Sequence, residues 1–136
     1  MQGRVLDTSA LIAWGKRSSA YVDATVWMRT EHRDYVVPII TTAAALTAAL
    51  AQLPSSAAPV IDVLLGMDGT TLVDNLTPGS APGVAEVLRN AGPYAAEQVT
   101  AATVVQAARR RSLPVVTSNP FPLQALWPEI EIDLIP

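Results

Sequence analysis

The sequence predicts an α/β domain built on a parallel sheet. Short apolar runs alternate with longer stretches of helical periodicity, which is the pattern of strands linked by crossover helices. Two of those runs, Val5-Leu6 and Val115-Val116, read as buried strands and end in polar residues, Asp7 and Thr117-Ser118-Asn119. Half of the 136 residues are apolar and 15% are charged, enough for a sizeable core in a single domain spanning 1–136. In an open parallel sheet, polar groups at the carboxyl ends of neighbouring strands converge on one crevice. Here that crevice is offered an acid by Asp7 and an amide by Asn119.

The elements follow in order. The first strand covers 4–7, and the hydroxyls of Thr8 and Ser9 are available to cap a short helix through Ala10, Leu11, Ile12 and Trp14. After a polar break at 15–19, a second helix places Tyr21, Val22, Ala24, Thr25, Trp27 and Met28 on its apolar side. Residues 35–40 read as strand two, with Pro38 near its end, and Thr41 or Thr42 caps an Ala-rich helix over 43–53. Pro54-Ser55-Ser56 breaks the chain, and Pro59 suits the first turn of a helix ending near Gly66. Strand three covers 70–74. The Pro- and Gly-rich stretch 77–83 is a loop, followed by a helix over 84–90. The longest helical pattern covers 94–111; strand four covers 114–117, a short helix 123–126, and strand five 131–135.

Composition removes several function classes. A net charge of −3 argues against a broadly basic nucleic-acid binder. Arg109-Arg110-Arg111 reads mainly as cations at a helix C-terminus, where each contributes about 0.3–1 kcal/mol. His32 lies in a polar stretch and reads as solvated. No apolar run approaches the roughly 20 residues of a membrane span, and Arg4 and Asp7 interrupt the start before a signal-peptide core develops. A cytoplasmic protein without a membrane partner is the expectation. Zero cysteines exclude disulfides and thiolate metal sites, and no Gly-rich phosphate loop is present.

Three segments together resemble the PIN-domain family, small metal-dependent ribonucleases that include many toxins of bacterial toxin–antitoxin pairs. They are Val5-Leu6-Asp7-Thr8-Ser9-Ala10-Leu11, then Val37-Pro38-Ile39-Ile40-Thr41-Thr42-Ala43-Ala44-Ala45-Leu46, and the run from Thr100 through Arg109-Arg110-Arg111 to Thr117-Ser118-Asn119. The resemblance spans the chain in length and order. It implies a three-layer α/β/α sandwich with a five-stranded parallel sheet in the order 3-2-1-4-5. It also implies four acids gathered around Mg²⁺ or Mn²⁺, hard cations that favour carboxylate oxygens and activate a water for attack on phosphate.

Most of those acids are missing. Asp7 matches the first, but Ala44 stands where the family has a glutamate, Ala101 where it has a helix aspartate, and Asn119 where it has the closing aspartate. Asp7 and Asn119 remain a weak metal pair, with Thr8, Ser9, Thr100 and Thr117 as polar lining. The resemblance therefore implies a PIN-like protein with a degenerate site that binds an antitoxin-like protein, RNA or a second copy of itself, with no resident cofactor. The alternative is an active Mg²⁺- or Mn²⁺-dependent ribonuclease in which Glu97, one helical turn before Ala101, substitutes as a catalytic acid beside Asp7. Asp7 also has plain structural roles open to it: capping the following helix, or accepting a hydrogen bond from Thr117 or Asn119. Asp62 and Asp74 read as surface charges, and Trp27, Met28 and Trp127 as exposed groups available to a homodimer. A receiver-like module is a further layout, but its late-sheet lysine is absent, Lys16 being the sole lysine.

Overall fold

The computed structural model describes residues 3–30, 38–66, 71–92 and 98–136. Its sheet has five strands: Arg4–Leu6 (β1), Ile39–Thr42 (β2), Thr71–Asp74 (β3), Val115–Thr117 (β4) and Ile132–Leu134 (β5). Every neighbouring pair is parallel and the spatial order is β3-β2-β1-β4-β5, as the resemblance implied. Parallel strands need crossovers, and the helices that supply them flank the sheet in a three-layer arrangement. These are Thr8–Lys16 (α1), Ala20–Thr30 (α2), Ala43–Gln52 (α3), Ala58–Leu65 (α4), Ala81–Arg89 (α5), Val99–Arg111 (α6) and Phe121–Leu126 (α7).

The central strands are buried on both faces, which is why they read as continuous apolar runs: Val5, Leu6, Ile39, Ile40, Val115 and Val116 are fully buried. Trp14 is the largest buried side chain, and its indole N–H donates to the Val60 carbonyl at 2.9 Å, tying α1 to α4. Small residues set the helix spacing. At Gly15 a Cβ would stand 2.7 Å from Leu53 Cδ1, so glycine lets α1 lie close to the end of α3. Among the described residues no helix is long and apolar enough to cross a membrane.

Several boundaries differ from the sequence expectation. Among the described residues strand two covers Ile39–Thr42, past Pro38, and takes in both threonines. Thr41 is a strand residue whose hydroxyl donates to the Leu6 carbonyl at 2.9 Å, and Thr42 alone caps α3, accepting the Ala45 N–H at 3.1 Å. The helix expected from Val84 begins at Ala81, because Pro82 falls in the first turn where no N–H is needed. Asp7, not Thr8 or Ser9, holds the N-cap position of α1. Glu97, His32 and the first residues expected in strand two lie outside the described residues.

Candidate functional site

Asp7 follows β1, and its extended backbone (φ −78°, ψ 171°) turns the chain into α1 without a side-chain cap. Its carboxylate faces β4 instead. The Thr117 hydroxyl donates to Asp7 Oδ2 at 2.9 Å, one of the structural roles foreseen for Asp7. Thr117 is fully buried, and its one proton is committed to that bond. The 3.1 Å contact between the Ser9 and Thr117 hydroxyls therefore runs from Ser9 to Thr117. Ser9 Oγ in turn accepts the Ser118 N–H at 2.9 Å, and Thr117 Oγ1 accepts the Asn119 N–H at 3.0 Å. Each proton in this relay points toward Asp7.

Burial pushes the Asp7 carboxyl above its ordinary value of 3.8, against the pull of the Thr8 N–H and the Thr117 hydroxyl. No cation is bonded to it among the described residues.

Asp7 opens onto a cleft of about 280 Å³, lined also by Thr8, Gln98, Thr100, Ala101 and Asn119, with Pro122 and Leu123 as an apolar wall. The structure thus brings together Asp7, Ala101 and Asn119, along with Thr8 and Thr100. Ser9 and Thr117 stand behind them, holding Asp7 rather than lining this cleft. Ala44 is not brought there. It borders a separate cavity of about 20 Å³, room for one water, with Thr42, Asp74 and Thr103. Gln98 was missed from sequence because the helix was expected to start at 94; the described helix starts at Val99, so Gln98 is its N-cap.

Asp74 corrects another expectation. It is a half-buried partner of Arg111, which grips it with two nitrogens at 2.7 and 2.6 Å, rather than a surface charge. Trp127 is likewise half-buried against the core, with the Arg109 guanidinium 6.0 Å from its ring centroid. Trp27 is exposed at 40%, and the Met28 side chain lies outside what is described.

No family model and no curated protein sequence matches the chain. Among solved structures, Mycobacterium tuberculosis VapC20, described as a sarcin–ricin loop cleaving toxin, is similar at a TM-score of 0.55. The match has 15% sequence identity and covers 83% of this chain and 87% of that one. The fold is PIN-like. At that identity the likeness concerns the fold, and the chemistry must be read from the side chains present. Among the described residues no group of three or more histidine, cysteine, aspartate or glutamate side chains could hold a metal ion. Asp7 is the one described carboxylate lining the cleft, and its other described neighbours there are amides, hydroxyls and apolar groups. That donor set does not fit Mg²⁺, which dehydrates reluctantly and needs anionic ligands to offset the loss of water.

Proposed function

We propose that the chain, as one PIN-like domain over residues 1–136, is a catalytically inactive protein that resembles toxin ribonucleases and acts by binding. One observation carries this reading: the cleft brings Asp7, Ala101 and Asn119 together, so three of the resemblance's four acid positions meet in space with a single acid among them. A metal-activated water would lack the ligands that hold it, and charge developing on an attacked phosphate would face Asp7 with no cation among the described cleft residues to neutralise it. The fourth position, Ala44, borders a different cavity and carries no acid. The partners in view are RNA, an antitoxin-like protein and a second copy of the chain. Apolar surface for a protein partner exists around Trp27 and Val63, which border a shallow cavity of about 420 Å³.

The test is cleavage of labelled single-stranded RNA by the purified chain with Mg²⁺ or Mn²⁺. No product above a protein-free control is expected. Metal-dependent cleavage that is lost in both Asp7→Ala and Glu97→Ala would overturn the reading in favour of a rearranged ribonuclease site.

A further inference from the structure

We propose that the Asp7 cleft is a nucleobase pocket for single-stranded RNA, in which Asp7 accepts from the Watson–Crick edge of a guanine and Phe121 stacks a neighbouring base. This rests on the RNA-binding part of the proposed function and names the chemistry of that site.

The cleft volume of about 280 Å³ lies just under the roughly 300 Å³ at which small-molecule pockets begin, a size for one base and not for a helix or strand. A carboxylate offers about four acceptor positions. Thr117 takes one from the sheet side and the Thr8 N–H another, which leaves about two for the cleft. Guanine presents two adjacent donors, N1–H and the N2 amine, to such a group, whereas the other bases present one donor position beside an acceptor. A phosphate in the same place would meet Asp7 as a like charge.

The remaining lining suits a base. The side-chain amides of Gln98 and Asn119 have no hydrogen-bond partner among the described residues, so both are available to the other edge of the ring. Ala101, Pro122 and Leu123 supply an apolar surface for a ring face.

Phe121 is the independent observation. It is the only phenylalanine in the chain and, at 76%, the most exposed of the described large apolar side chains. It lies in sequence between the cleft residues Asn119 and Pro122, at the first position of α7. Isolated exposed apolar residues are common, but an exposed aromatic next in sequence to a pocket-lining residue is placed as stacking platforms for single strands are.

The experiment is fluorescence anisotropy of the full chain with short labelled oligouridylates carrying one central guanine, hypoxanthine or adenine. EDTA is present so that no metal contributes. Guanine is expected to bind about tenfold tighter than adenine, with hypoxanthine, which lacks the N2 amine, in between. Asp7→Asn, which keeps the acceptor for Thr117, should erase that ranking. Phe121→Ala should weaken all three by about tenfold and preserve it. Equal binding of all three oligonucleotides, or a guanine preference that survives Asp7→Asn, overturns the base pocket and leaves RNA binding standing. No binding of any oligonucleotide overturns the RNA-binding reading itself.

Discussion

Two carboxylates mark the carboxyl ends of two strands in this sheet, and they are treated in opposite ways. Asp74, at the end of β3, is gripped by the Arg111 guanidinium in a half-buried bidentate pair. Asp7, after β1, is largely desolvated with no cation bonded to it among the described residues, held only by neutral donors. The first arrangement is a fastening: it joins the edge strand to the last turn of α6. The second is costly to keep ionised, and its donors are arranged in a relay that aims every proton at the acid. A carboxylate kept at such a cost beside an open cleft is a candidate for function. The contrast is what singles out Asp7, and not Asp74, as the acid of the proposed site.

The largest effect should come from the hub of the relay. Thr117→Val deletes a buried hydroxyl that donates to Asp7 and accepts from both Ser9 and the Asn119 N–H. The loss leaves buried groups unpaired and should cost about 2–3 kcal/mol in urea unfolding. A cost below about 0.5 kcal/mol would mean the relay contributes little.

Arg111→Ala should cost less, about 1 kcal/mol, because the pair is a quarter exposed and screened by solvent. Part of that difference should fade at high salt, which separates a charge effect from lost packing.

Asp7→Asn should give the smallest change, with the opposite sign. The native Asp7 carboxyl titrates above the 3.8 of the unfolded chain, so the native state binds the proton more readily. Stability of the parent chain therefore falls as pH rises from 3.8 through the raised native value. The Asn variant lacks that slope. It should be the more stable protein at neutral pH, with the gap closing as pH falls toward 3.8, measured as paired melting curves across pH. A variant less stable than the parent at pH 7 would mean that the relay depends on the charge of Asp7.

The architecture was largely legible in the sequence because central parallel strands must be apolar throughout. Val5-Leu6 and Val115-Val116 stand out for that reason, and the threonines, asparagine and acids at their ends follow from where the strands stop. The strand order came from resemblance rather than pattern. Boundaries failed where polar residues have two uses. Thr41 reads as a cap but lies in β2, because a buried threonine satisfies its hydroxyl on the Leu6 carbonyl of the neighbouring strand. Pro82 reads as loop but sits in the first turn of α5.

The site was only partly readable. Asp7 and Asn119 were visible as strand ends, whereas Asp74 gave no sign of its partner, since Arg111 lies 37 positions away and only the packing of α6 unites them. Gln98, Pro122 and Leu123 border the cleft through helix starts whose exact positions periodicity does not fix.

The central claim is that this PIN-like fold has no working metal centre, and calorimetric titration with Mn²⁺ addresses it most directly. The parent chain is compared with the Ala101→Asp, Asn119→Asp double variant, which puts two acids back beside Asp7 in the same cleft. No heat of binding is expected for the parent at millimolar Mn²⁺, and a measurable, saturable site is expected in the double variant. Saturable binding by the parent that disappears in Asp7→Asn would contradict it.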